Sequence, residues 1–184
     1  MDVMESARIA EEKGKDIIHM EVGQPGTPAP KIAKDYITNE INKNNLGYTV
    51  SLGLPALRTK ISKLYGDWYN LDLNPNRIVV TTGSSGAFIL SFSALFDSGD
   101  RVGIGSPSYP SYRQILKSLS LETVDIQTKL QNRFQPVPED IANNNLNGIL
   151  VASPANPTGS MLDKQSLENL INTANENNVS FISD

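Results

Sequence analysis

The sequence predicts an α/β fold, a mostly parallel sheet covered by helices on both faces. Short apolar runs, clearest in Gly148-Ile149-Leu150-Val151-Ala152, lack the polar alternation of a half-solvated strand and read as strands buried on both faces. They alternate with longer segments of helical period, the spacing that crossover helices impose on parallel strands. The segment 84–96 has Ala, Phe, Ile and Leu on every side, so a helix there must be covered on most sides.

Residues 1–13 read as a helix, with Val3, Met4, Ala7 and Ala10 on one side and charges on the other, ended by Gly14. Residues 16–22 read as a strand. Three prolines and two glycines between Gly23 and Pro30 make a loop with restricted backbone freedom. A helix over 31–43 stops at Asn44-Asn45-Leu46-Gly47, and 48–53 form a second loop. The clearest helix covers 54–69, where Leu54, Leu57, Ile61, Leu64 and Trp68 recur at steps of three and four, a stripe expected to face the core. A strand over 77–81 leads into the apolar helix 84–96. Further strands are expected at 101–105, 121–126, 148–152 and 179–183, separated by helices near 109–119, 139–143 and 163–176. There is no internal repeat, and the Asn-rich stretches at 143–147 and 172–178 read as helix ends.

At 184 residues, 39% hydrophobic and 20% charged, the chain can bury a sizeable core. A net charge of −4 and an isoelectric point near 5.0, with scattered basic residues, give no electrostatic footprint for nucleic acid. A small soluble substrate is the expected partner. The absence of cysteine excludes disulfides, thiolate metal sites and a cysteine nucleophile, and is compatible with a reducing compartment. Residues 1–14 carry Asp2, Glu5, Glu11 and Glu12 without an apolar core of signal-peptide length. No segment approaches the roughly 18 apolar residues of a membrane span. No membrane association is expected, and the cytoplasm is the expected location.

Four candidate sites stand at ends of these strands. Asn156-Pro157-Thr158-Gly159 follows the run 148–152 and places a side-chain amide where open α/β sheets bind ligands. The position suits a fixed hydrogen bond to a planar cofactor, although the same four residues are also ordinary turn chemistry. In Thr82-Gly83-Ser84-Ser85-Gly86 a strand hands over to a helix, so unpaired backbone N–H groups and the helix dipole converge on a spot fit for a phosphate. A serine N-cap on a buried helix is the other reading of that turn. Tyr109, in Ser106-Pro107-Ser108-Tyr109-Pro110, can lay its ring on a bound aromatic cofactor or pack as a structural tyrosine. The strand 179–183 ends in the carboxylate of Asp184.

Other chemistries find little support. There is no G-x-x-x-x-G-K-[ST], and Gly103-Ile104-Gly105-Ser106-Pro107-Ser108 misses the last glycine of a dinucleotide fingerprint. His19 is the only histidine and G-x-S-x-G is absent, which disfavours a serine hydrolase. No His or Cys cluster points to a metal.

With these four sites in this order, the chain from about Ile17 onward resembles the class I/II aminotransferases, the fold-type I enzymes that use pyridoxal 5′-phosphate. The resemblance implies an incomplete fold-type I large domain over 46–184, preceded by an N-terminal segment of the small domain over 1–45. By the same resemblance Ser84 and Ser85 bind the cofactor's phosphate and Tyr109 stacks on its pyridine ring. Asn156 bonds the phenolic oxygen, and Asp184 keeps the ring nitrogen protonated. Gly23, in Gly23-Gln24-Pro25, matches a glycine that approaches the substrate carboxylate. Tyr48, in Asn45-Leu46-Gly47-Tyr48-Thr49, matches a tyrosine that reaches the phosphate of a neighbouring subunit, which implies a homodimer. The implied reaction moves an amino group between an amino acid and a 2-oxo acid. In the family the lysine that forms the Schiff base follows the strand-end Asp by some dozens of residues, so the chain is expected to be a fragment without catalytic residues, inactive alone. Another fold-type I reaction such as carbon–sulfur β-elimination, a non-catalytic aminotransferase-like binding domain, and a nucleotide binder using the Ser84 turn are the alternatives.

Overall fold

The first helix, α1 (Asp2–Glu12), stops where Gly14 takes a φ of 80°, a left-handed conformation that glycine adopts without strain. The computed structural model describes residues 2–23, 25–43 and 46–184; Gln24, Asn44 and Asn45, in the two loops singled out above, lie outside them, as does Met1. The chain divides into two compact units, Met1–Thr49 and Val50–Asp184.

In the first unit, α1 and α2 (Lys31–Ile41) match the expected helices. The expected strand over 16–22 does not form: no ladder is assigned there, and Ile18 and Met20 stand in solvent. A strand is completed by a partner's hydrogen bonds, and no described segment is paired with this one. Side chains anchor it instead. His19 lies between two carboxylates, with Nδ1 2.7 Å from Glu21 Oε1 and Nε2 2.9 Å from Glu11 Oε1 on α1. Glu21 first, then Glu11, push the imidazole up to about 9, so both ring nitrogens donate at neutral pH.

In the second unit, α3 (Pro55–Tyr69) starts with proline at its first position, where no N–H is needed. Its expected core stripe is not buried. Leu54, Leu57, Leu64 and Trp68 are exposed, and the buried side chain of α3 is Arg58. Its Nε donates to Ile78 O at 2.9 Å, and its Nη2 donates to Pro75 O at 2.7 Å and Asn76 Oδ1 at 3.2 Å. A buried guanidinium must satisfy its donors, and here carbonyls do so. The expected strand over 77–81 is therefore a single 3-10 turn, Pro75–Arg77, and an unpaired segment that Arg58 and the bond from Val80 N to Leu52 O tether to α3 and its approach.

The helix α4 (Gly83–Leu95) forms as expected, yet only Phe88 and Phe92 are buried while Ile89, Leu90 and Leu95 are exposed, so it is covered on one side rather than on most. The sheet follows: β1 (Arg101–Ser106), β2 (Glu122–Gln127), β3 (Gly148–Val151) and β4 (Ser180–Ser183), in the order β2-β1-β3-β4 with every pair parallel. Between them run α5 (Pro110–Ser118), α6 (Pro138–Ala142) and α7 (Lys164–Glu176). Asp163 starts α7 by accepting from Ser166 N at 2.8 Å, an N-cap bond.

Successive strand residues point to opposite faces, and this splits the core in two. Val102, Ile104 and Leu150 pack with Phe88, Phe92 and Phe96 of α4 and its end, and with Tyr112 and Leu116 of α5. Ile149 and Val151 pack on the other face with Ile141, Leu170 and Ala174 of α6 and α7. Gly148 opens β3 because the Phe96 ring lies where a side chain would begin: a Cβ there would sit 2.2 Å from the ring.

Two expectations follow. Gly148→Ala forces Phe96 out of its place and should lower folding stability by about 1–3 kcal/mol in denaturant unfolding; an unchanged midpoint would contradict this packing. The NMR signal of His19 should titrate near pH 9, above the usual histidine value of about 6.5, and Glu11→Gln should lower that midpoint. Because the folded value is the raised one, the stability His19 contributes is full below about pH 6.5 and lost as pH rises through about 9.

Candidate functional site

The strand order creates a crevice at the carboxyl end of the sheet. The connection leaving β1 runs outward to β2, and the one leaving β3 runs the opposite way to β4, so their loops diverge between β1 and β3. Open α/β sheets bind ligands at such a switch point. The loop after β1 carries Ser108 and Tyr109, and the loop after β3 carries Asn156. A small hollow between them is lined by Gly105, Ser108, Tyr112, Gln135, Ala152 and Asn156.

Tyr112 is the residue that joins the pieces, and the sequence reading passed over it. It is 1% exposed. The edge-on packing of its ring sets Phe88 of α4 at 5.1 Å and 84°, and Tyr109 at 5.4 Å and 80°. Its hydroxyl donates to Asp184 Oδ2. Burial, and then the bond to Asp184, raise this phenol well above the usual tyrosine range, so it stays a donor at any physiological pH. The main chain of Asp184 is fixed too: its N–H donates to Val151 O and its carbonyl accepts from Ser153 N, both at 3.0 Å.

Tyr109 and Asp184 therefore meet at Tyr112, and Asn156 shares the adjoining hollow with it. Ser84 and Ser85 are exposed in the first turn of α4. They precede Phe88 by four and three positions, which puts them on the stripe that Phe88 presents to Tyr112. Neither serine is the N-cap. That position is Thr82, whose side chain makes no capping bond, and Gly83 turns at a φ of 79°. Gly23 and Tyr48 lie in the first unit, both exposed, and a Cβ on Gly23 would meet nothing within 4 Å. Gln135 was also missed, since a lone glutamine beside a proline carries no motif. Tyr112 had a faint signal in its spacing of three from Tyr109 across a helix start.

The donor set fits a flat, anionic, nitrogen-containing ring. First-turn N–H groups suit a phosphate, the Tyr109 ring a π-face and the Asn156 amide an oxygen. The Asp184 carboxylate retains lone pairs beyond the one Tyr112 uses, available to a protonated ring nitrogen. Among the described residues no group of His, Cys, Asp and Glu is placed to hold a metal, and no helix is long and apolar enough to cross a membrane.

Residues 15–184 match the family model of aminotransferase class I and II, and the chain belongs to that family. Members of this class depend on pyridoxal 5′-phosphate. A valine–pyruvate aminotransferase of Mycobacterium tuberculosis is 40% identical over 186 residues, covering 100% of this chain and 48% of its own length. A crystal structure from Silicibacter pomeroyi attributed to an aminotransferase is 57% identical with a TM-score of 0.88, covering 100% of this chain and 47% of that one. The aspartate aminotransferase of Thermotoga maritima, 31% identical with a TM-score of 0.92, covers 100% of this chain and 50% of its own. The chain thus spans about half the length of the relatives it matches.

Tyr112→Phe should keep the ring packing and lose only the hydroxyl bond, costing about 1 kcal/mol because Asp184 is exposed. Above pH of about 10 the unfolded phenol ionises while the native one keeps its proton, so stability falls there. Unfolding curves from pH 8 to 11 should show that alkaline fall in the parent protein and a shallower one in Tyr112→Phe; parallel curves would contradict the assignment.

Proposed function

We propose that this chain forms the cofactor cradle of a transaminase that moves an amino group between an amino acid and a 2-oxo acid. Pyridoxal 5′-phosphate, when bound, supplies an electron sink for the ionisation of the substrate's Cα–H bond. The convergence of Tyr109, Asn156 and Asp184 around Tyr112 at the switch point is the observation that carries the reading. Ser84, Ser85 and the N-terminal turn of α4 hold the phosphate through N–H and hydroxyl donors. Tyr109, braced edge-on by Tyr112, presents its ring to the pyridine face. Asp184 holds the proton on the ring nitrogen, and the Asn156 amide donates to the phenolic oxygen on the other side.

The reading extends to the first unit and to a second copy of the chain. Gly23 admits the substrate carboxylate close to its backbone, since no side chain stands there. Tyr48 reaches the phosphate held by a neighbouring subunit in a cytoplasmic homodimer. Residues 1–45 then belong to the small domain and 46–184 to the large one. The names of the relatives suggest the first substrates to try, valine with pyruvate and aspartate with a 2-oxo acid.

The test uses the full-length protein. With pyridoxal 5′-phosphate it should show a visible absorbance band and transaminate at least one of these pairs. Asp184→Ala should lower kcat by about a hundred- to thousandfold, the scale of losing one electrostatic group aimed at the reacting system. Retention of normal turnover by Asp184→Ala would refute the role given to this carboxylate.

A further inference from the structure

Gln135 is one of two polar or charged residues among the described ones that are buried, at 4% exposure. Its side chain does not serve the sheet or a helix cap. Nε2 donates to Ala152 O and Ser160 O, both at 3.1 Å, and approaches Ser160 Oγ at 3.3 Å. Those two carbonyls stand at the two ends of the loop that carries Asn156. Ser160 O also accepts from Ala155 N at 2.8 Å, and Gly159 N donates to Ala155 O at 2.7 Å, so the loop's turn is fastened to the same point.

We infer that Gln135 is a positioning residue: its carboxamide clamps the loop 152–160 at both ends and so fixes where the Asn156 amide projects. The inference rests on the role proposed above for Asn156. The donor side of an amide is required, because two carbonyl oxygens converge on one atom and an acceptor there would be repelled. The segment bearing Gln135 is shaped to deliver it. Arg133 and Phe134 both take left-handed backbone angles, φ 54° and 55°, which non-glycine residues avoid unless their surroundings impose them. Gln135 N then donates to Asn132 O at 3.0 Å, and Phe134 and Pro136 line the Asn156 hollow beside Gln135.

Asp184 is held by main-chain bonds to Val151 and Ser153, whereas the main-chain bonds around Asn156, from Ala155 N to Ser160 O and from Gly159 N to Ala155 O, close within its own loop. Without another anchor its amide would follow the loop.

The experiment compares the cofactor-loaded full-length protein with Gln135→Met, Asn156→Ala and the double variant. The readouts are the pH midpoint of the cofactor's visible band, and kcat and KM separately. A donor on the phenolic oxygen favours its deprotonated form, so Asn156→Ala should raise the midpoint, by about one pH unit. Gln135→Met, of similar size but without donors, should raise it by part of that amount and lower kcat/KM by about tenfold. In the Asn156→Ala background it should change neither. If Asn156→Ala leaves the midpoint in place, the proposed role of Asn156 fails and the clamp loses its object. If Asn156→Ala moves the midpoint and Gln135→Met does not, or if the two shifts add in the double variant, the positioning role is overturned while the cofactor reading stands. Should Gln135→Met fail to fold, Gln135→Asn, whose shorter side chain withdraws the amide from both carbonyls, carries the same expectations.

Discussion

The hydroxyl of Tyr112 on the carboxylate of Asp184 is the interaction on which the site depends. Around it the ring of Tyr112 touches Phe88 from α4 and Tyr109 from the loop after β1, so three separate stretches of chain are fixed relative to one side chain. Each contact is ordinary by itself. Together they convert an all-parallel sheet, whose strand ends would otherwise carry independent loops, into a single edge with defined chemistry. Burial keeps the phenol protonated, and this makes the join a permanent donor bond rather than one that comes and goes with pH.

The sheet supplies the frame for that join because its strands are short and its residues small where helices approach. Gly148 lets Phe96 lie against the start of β3, and Gly103 leaves room for Leu146 and Ile126 on the opposite face. With α4 and α5 drawn down on one face and α6 and α7 on the other, the N-terminus of α4 comes to the carboxyl side, where the loops after β1 and β3 open. Packing in the core thus brings the N-terminal turn of α4 to the edge where Tyr109, Tyr112 and Asp184 touch one another.

The sequence discloses much of this and misses some of it for definite reasons. The four paired strands lie within one residue of their expected bounds, because short Ile- and Val-rich runs between helical segments, of which 148–152 is the clearest, mark them. The strands expected over 16–22 and 77–81 are also rich in Ile and Val, yet they do not form ladders. Composition reports what a segment would bury, while a ladder also needs a neighbour. The same limit governs α3, where the periodic Leu57, Leu64 and Trp68 stand exposed and an off-pattern Arg58 is buried by its bonds to carbonyls. In the site, Tyr109, Asn156 and Asp184 were legible because each follows a strand. Tyr112 and Gln135 were not, because their partners lie on other strands and loops: Asp184 is 72 residues from Tyr112 in the chain.

The two sides of the proposed ring site are built with different stiffness. Asp184 inherits its place from the sheet, since its own N–H and carbonyl extend the pairing of β4 with β3. Its carboxylate is held in addition by the Tyr112 hydroxyl. Asn156 sits in a loop whose main-chain bonds close within the loop, and the Gln135 amide is the side chain that ties its two ends together. In the proposed site the carboxylate is thus tied to the sheet, whereas the amide is tied to a loop. With the roles proposed above, substitutions in the residues that hold the loop alter the surroundings of the bound ring while leaving the strand-end carboxylate and the aromatic brace untouched.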